Sequence, residues 1–159
     1  MCDCNGKVRV AFYTECDENG CPYQDMEFAT PLAACVDVRC KEDVTIDPGE
    51  TKLIPTGLYV SLPDGFEMQI RPRSGISAKT SLIFKNTIGT IDADYRGREI
   101  FVVWYNLGTE PVSFKAFDRI AQAKIERVIP VEYYQVSTIE ELKEMGYDRG
   151  GGCGSTGLK

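Results

Sequence analysis

Three polar segments carry residue types suited to phosphate chemistry. Arg71-Pro72-Arg73-Ser74-Gly75 follows an extended apolar run and gathers guanidinium, hydroxyl and backbone N–H groups in one short turn. Such a set meets phosphate oxygens through bidentate hydrogen bonds and exposed amide dipoles. Gly89-Thr90-Ile91-Asp92-Ala93-Asp94-Tyr95-Arg96-Gly97 breaks an apolar stretch with two carboxylates two residues apart and then an aromatic ring. In an extended chain, alternation puts Asp92 and Asp94 on one face, where one can orient water as a general base, whereas a turn separates them. The glycine-rich Arg149-Gly150-Gly151-Gly152-Cys153-Gly154-Ser155-Thr156-Gly157 can wrap an anion with successive amides and, lying at the chain end, can close as a lid. Taken singly, each segment also reads as a surface turn, a solvated hairpin end or a disordered tail. The sequence has no histidine, which excludes a Ser-His or Cys-His nucleophile and leaves carboxylate, Lys, Tyr or thiolate as the general base.

The elements that must position these groups are short and β-rich. Apolar runs at 7–13, 34–39, 51–62, 67–71, 81–85, 99–106, 112–114, 120–128 and 131–136 are separated by turn-formers such as Pro48-Gly49, Pro63-Asp64-Gly65 and Leu107-Gly108. This is the pattern of an all-β barrel or jelly roll. One short helix is predicted. Ser137-Thr138-Ile139-Glu140 reads as a capping box, Ile139, Leu142 and Met145 form an apolar stripe, and Gly146 can end the helix. No internal repeat or linker divides the chain.

Composition narrows the classes. The 159 residues suffice for one domain. A formal charge of −6 argues against a general nucleic-acid binder, which needs a Lys/Arg surplus on some face. No window approaches the roughly 18 apolar residues of a membrane span, and Met1-Cys2-Asp3-Cys4-Asn5 has no signal pattern, so a cytoplasmic or otherwise intracellular location is expected. The 7 cysteines, an odd number, fit reduced thiols better than a disulfide framework. Cys2, Cys4, Cys16 and Cys21 could form a four-thiolate zinc site, but neither pair has the usual two-residue gap, and free thiols are favoured.

In order along the chain, from about residue 31 to the C-terminus, these segments resemble the motifs of the trimeric dUTP pyrophosphatases. That family's first motif is similar to Ala33-Ala34-Cys35-Val36-Asp37-Val38, the second to Arg73-Ser74-Gly75, the third to residues 89–97, the fourth to Arg119-Ile120-Ala121-Gln122, and the fifth to residues 149–157. The resemblance implies a distorted β-barrel or jelly roll over residues 1–146, with a hairpin insertion at about 14–24 and a flexible arm at 147–159 closing over an active site. It implies hydrolysis of dUTP to dUMP and pyrophosphate, limiting uracil in DNA and supplying dUMP for dTTP synthesis, by a homotrimer whose sites are shared between subunits. Asp92 would direct water at the α-phosphorus. Tyr95 would lie under the deoxyribose and reject a 2′-hydroxyl. Asn86, Gly89, Thr90 and Ile91 would form the uracil-reading hairpin, and Arg73, Ser74, Gly75 and Gln122 would contact phosphates. Arg149, Cys153, Gly154, Ser155 and Thr156 would belong to the closing arm. Asp37 would hold, through water, a Mg2+ ion bound chiefly by the triphosphate.

The chain also departs from the family pattern. Cys153 stands where the family has a uracil-stacking Phe, in a segment one residue short. Cys35 and Val36 replace Gly and Tyr, and an extra residue near Arg98-Glu99 suggests a bulge. The related dCTP deaminases need a Glu where this chain has Val103, which disfavours deamination. A dUTPase-like nucleotide sensor that switches a protein partner is the alternative of a different class.

Overall fold

Residues that alternate between apolar and polar build strands with one buried face. In Phe101–Asn106 the side chains of Val102, Trp104 and Asn106 are buried while those between them are not. The structure, a computed structural model, describes residues 6–148, 150 and 151. Its elements are β1 (Ala11–Thr14), β2 (Val36–Arg39), β3 (Val44–Ile46), β4 (Thr51–Pro55), β5 (Leu58–Ser61), β6 (Phe66–Arg71), α1 (Ser74–Lys79), β7 (Leu82–Phe84), β8 (Gly89–Ile91), β9 (Phe101–Asn106), β10 (Val112–Phe114), β11 (Arg119–Arg127) and α2 (Ile139–Glu144). The described chain falls into two compact units divided between Ile129 and Pro130.

The first unit is an all-antiparallel, jelly-roll-like β fold. Its sheets have the orders β2-β11-β6-β8, β4-β9-β7, β1-β5 and β10-β3. Between them lies a core of Val38, Ile54, Leu58, Met68, Ile70 and Ile120 around the fully buried Trp104, against which Phe84 packs edge-on at 4.7 Å between ring centroids. Full burial of such side chains, at about 1.5–3 kcal/mol each, is the main force holding the sheets together.

Several elements differ from the sequence expectation, each for a local reason. The run 51–62 is two strands, because Gly57 takes the left-handed φ of 64° and the Thr56 hydroxyl donates to the Ile100 carbonyl at 2.6 Å. β3 has only three residues, too few for alternation to show. The single helix expected is one of two. α1 has six residues, no side-chain cap and no buried residue, so neither capping nor periodicity announces it. The expected helix is α2, capped one residue later than read. Thr138 accepts from the Glu141 N–H at 3.3 Å, and the Glu141 carboxylate accepts from the Ser137 N–H at 3.0 Å. Residues 131–136 form no strand, and Val131, Tyr133 and Tyr134 are exposed. No bulge follows Gly97; the extra residue sits in a turn before β9, whose ladders to β4 and β7 are in continuous register.

Before β2, the chain at 14–24 turns back on itself. Cys16 bridges Pro22, and Asp17 Oδ1 accepts the N–H groups of Asn19 and Cys21 at 2.9 and 2.8 Å. Gln24 fastens this turn to the core. It is 1% exposed, and its amide donates to the Arg39 and Thr56 carbonyls at 2.8 and 2.7 Å while accepting from the Arg39 N–H at 2.9 Å. No described helix is long and apolar enough to cross a membrane.

Candidate active site

The central strand β11 assembles the phosphate-type residues. Gln122 is in register with Asp37 of β2 on one side and Arg71 of β6 on the other, so segments far apart in sequence meet on adjacent strands. A register shift between Arg119 and Ala121 leaves Ile120 without a partner on β2. This bulge buries Ile120 and Ala121 in succession, and the Ile120 carbonyl takes the N–H of Trp104 at 3.2 Å. Residues 119 and 122, three apart, would face opposite sides of a regular strand. With the bulge, both line the same cleft.

That cleft, about 370 Å³, is bounded by Asp37, Arg73, Ser74, Gly75, Arg119 and Gln122, with Ala33, Ala34 and Cys35 beside them. One Asp37 oxygen meets Arg73 Nε at 2.9 Å and the other meets Arg119 Nη1 at 3.2 Å. Arg73 also donates to the Arg119 carbonyl at 3.1 Å. Two guanidinium groups thus share one carboxylate, leaving a net positive charge and fixed N–H donors. Gln122 Nε2 donates to the Pro72 carbonyl at 2.8 Å, which pins the start of the Arg73 turn. The N–H groups of Ser74 and Gly75 open α1 and have no intrahelical acceptor. The arrangement is that of an anion site. Arg119, legible in the sequence only as the first residue of the Arg-Ile-Ala-Gln segment, joins the site because the bulge puts it on the face of Gln122.

Asp92 and Tyr95 lie elsewhere on the chain, outside the lining of this cleft. β8 pairs with β6 with Ile91 opposite Met68 and Gly89 opposite Ile70, and the chain turns after Ile91. Gly89 is closely approached: an added Cβ would lie 3.3 Å from both Asn86 Nδ2 and Ile70 Cβ, so its neighbours would have to give by a few tenths of an ångström. Thr87 adopts a φ of 59°, and its N–H donates to the Phe84 carbonyl at 3.1 Å, closing the hairpin that carries Asn86, Gly89, Thr90 and Ile91. Asp92 and Asp94 are both exposed and line an open depression with Asp64, Phe66 and Arg96. The Tyr95 N–H donates to the Asp92 carbonyl and its hydroxyl to the Glu99 carbonyl, each at 3.1 Å. Arg149, Cys153, Gly154, Ser155 and Thr156 lie outside the described residues.

Among the described residues Asp37 is the one carboxylate lining the cleft, and both its oxygens already meet arginines. A hard divalent ion needs six or more oxygen ligands, so the described cleft does not fit a metal chelated by protein alone. It does fit one held through water and by a polyphosphate. Among the described residues, no three His, Cys, Asp or Glu side chains are grouped to hold a metal ion.

Comparison with known proteins points the same way. The dUTPase family model matches residues 22–157. The deoxyuridine 5'-triphosphate nucleotidohydrolase of Anaeromyxobacter sp. is 45% identical over 140 residues, 88% of this chain and 92% of that protein. The protein of the same name from Caldanaerobacter subterraneus is 46% identical over 118 residues, 74% of this chain and 76% of its own. Among solved structures, a mutant dUTPase from phage phi11 of S. aureus, whose structure details the coordination of a structural Mg(II) ion, superposes with a TM-score of 0.71. It is 23% identical and covers 83% of this chain and 99% of its own, a likeness of fold. With a family model spanning all of the first unit's sheets that build the cleft, and relatives near half-identical over most of their length, the chain belongs to the dUTPase family.

Proposed function

We infer that the protein hydrolyses dUTP to dUMP and pyrophosphate. The observation that carries this is the near-half identity to named dUTP nucleotidohydrolases over most of the chain. In the reaction, water adds to the α-phosphorus, the bond to the bridging oxygen breaks, and pyrophosphate leaves with the electron pair. Asp92 takes the water's proton and aims its oxygen. Arg73, Arg119, Gln122 and the Ser74 and Gly75 amides hold the charged phosphates as negative charge shifts toward the leaving group. Tyr95 packs against the deoxyribose, and the hairpin of Asn86, Gly89, Thr90 and Ile91 reads the base. The arm with Arg149, Cys153, Gly154, Ser155 and Thr156 covers the outer phosphates. Asp37 would hold a Mg2+ ion through water, and the ion would supply neutralisation of phosphate charge.

The reading includes a homotrimer with sites shared between subunits. Its support is the distance between the two halves of the machinery on one chain. Asp92 follows the residue opposite Met68, whereas Arg73 lies beyond the other end of β6. Six residues of extended chain separate these levels, roughly 20 Å at about 3.3 Å each. This separation supports one nucleotide being held by Asp92 of one subunit and Arg73 of another. The outer face of β4-β9-β7 also exposes Leu53, Ile83 and Phe101, an apolar surface suited to burial against further copies.

The test is pyrophosphate release from dUTP, UTP, dCTP and dTTP, with and without magnesium, for the wild type and Asp92→Asn. Fast magnesium-dependent release from dUTP alone is expected. The substitution should lower turnover by about 10²–10⁴-fold with dUTP binding retained. No release by a folded, nucleotide-binding protein would refute the activity. Loss of binding together with turnover would refute the role of Asp92.

A further inference from the structure

Tyr95 is held at both ends, through its N–H to Asp92 and its hydroxyl to the Glu99 carbonyl. The position of that carbonyl depends on what holds Glu99. Its side chain is 15% exposed, and Oε1 accepts the Gly57 N–H at 2.8 Å and meets Lys41 Nζ at 3.5 Å. Lys41 in turn donates to Glu15 Oε2 at 2.8 Å, and Glu15 Oε1 takes the Tyr59 hydroxyl at 2.8 Å. Gly57 joins the two sides. Its N–H goes to Glu99, and its carbonyl accepts the Glu15 N–H at 2.9 Å. The approach is close enough that a Cβ on Gly57 would lie 3.2 Å from Glu15 Cβ and 3.3 Å from Lys41 Cδ. Glu15 lies in the turn that precedes β2, so a continuous set of charge-assisted contacts runs from that turn to Tyr95.

We propose that Glu99, Lys41 and Glu15 are positioning residues for sugar selectivity, fixing the height of the Tyr95 ring so that it excludes a 2′-hydroxyl. A ring that rejects one extra oxygen by contact must be held within a fraction of an ångström. A backbone carbonyl can anchor its hydroxyl that well only if the carbonyl itself cannot drift. The ion pairs supply that restraint by fixing Glu99, whose backbone carries the carbonyl.

The inference rests on the reading of Tyr95 as the residue under the deoxyribose, and the experiment separates the two. The ratio of kcat/KM for dUTP over UTP is measured for Glu99→Ala, Lys41→Met, Lys41→Arg and Tyr95→Ala. For Glu99→Ala and Lys41→Met the ratio should fall about tenfold, through gained UTP turnover, with kcat for dUTP within about threefold of wild type. Lys41→Arg, which keeps the cation, should restore most of the ratio. An unchanged ratio in folded Lys41→Met, whose side chain is 25% exposed and whose loss the fold should survive, overturns the proposal even if Glu99→Ala does not fold. An unchanged ratio in Tyr95→Ala overturns the reading of Tyr95 itself.

Discussion

Replacing Gln24 by Leu keeps nearly the same volume in the core and removes three hydrogen bonds, so its effect on stability can be worked out group by group. Gln24 is 1% exposed, and no water can substitute for its amide without disturbing the core. The Arg39 N–H, which donates to Gln24 Oε1 at 2.9 Å, would be left buried without that acceptor, at a cost of about 1–3 kcal/mol. The Arg39 and Thr56 carbonyls would each lose a donor, a smaller cost because a carbonyl has a second lone pair. The sum is about 3 kcal/mol after allowing for the apolar burial gained. At this chain length that corresponds to a fall in melting temperature of roughly 6–12 °C. Thermal unfolding followed by circular dichroism, at one fixed chain concentration, measures it. Gln24→Glu provides the contrast. The introduced carboxylate still accepts from Arg39 but offers the two carbonyls no proton, so at pH 7 this variant should be less stable than Gln24→Leu. Burial raises the pKa of that carboxylate, so the variant binds more protons folded than unfolded and should gain stability as pH falls toward the ordinary carboxylate value. A Gln24→Leu protein melting within about 2 °C of wild type would refute the assignment of Gln24 as the anchor.

Two further predictions concern titration and reactivity. Hydrogen bonds from Lys41 and then Tyr59 hold the Glu15 carboxyl below its ordinary value of 4.5. Its contribution is therefore complete above that value and lost as pH falls through the lower folded one, so Lys41→Met should show a shallower acid-side loss of melting temperature, and parallel curves would contradict this. Burial, and next the charge of Asp118, pushes the Cys40 thiol up to about 11, while its Sγ donates to the Lys115 carbonyl at 2.8 Å. Iodoacetamide at pH 8 should modify the exposed Cys16 and Cys21 of the native protein and leave Cys40 unmodified until unfolding, with mass spectrometry reporting any early Cys40 adduct as the contrary result.

The parts legible in the sequence are those where chemistry and period coincide. Family resemblance names Arg73, Ser74, Gly75 and Gln122 for phosphate and Asp37 for a hydrated metal ion, and all five line one cleft in the structure. The all-β class followed from short apolar runs between turn-formers. The parts that were not legible depend on neighbours distant in sequence. α1 has no cap and no apolar stripe to signal a helix. β3 is held by its ladder to β10, in which Ile46 faces Val112 and Val44 faces Phe114, rather than by any pattern of its own. The run 131–136 has strand-forming residues, but propensity favours a strand only where an edge is available to pair with. Gln24 and Glu99 look like ordinary surface polar residues until the carbonyls and amides they serve are known.

The bulge at Ile120 lets β11 carry one extra apolar residue without moving Arg119 off the face that bears Gln122. Deleting Ala121 would restore regular alternation, with Arg119 and Gln122 two residues apart and still on one face, but one of the two successive buried residues would be lost from the core. The Ile120 carbonyl would return to the ladder, leaving the buried indole N–H of Trp104 without its acceptor. An extra residue between Arg119 and Gln122 is thus compatible with a shared cleft only where a bulge absorbs it. The strand behaves as a reading frame in which one extra residue is part of the message.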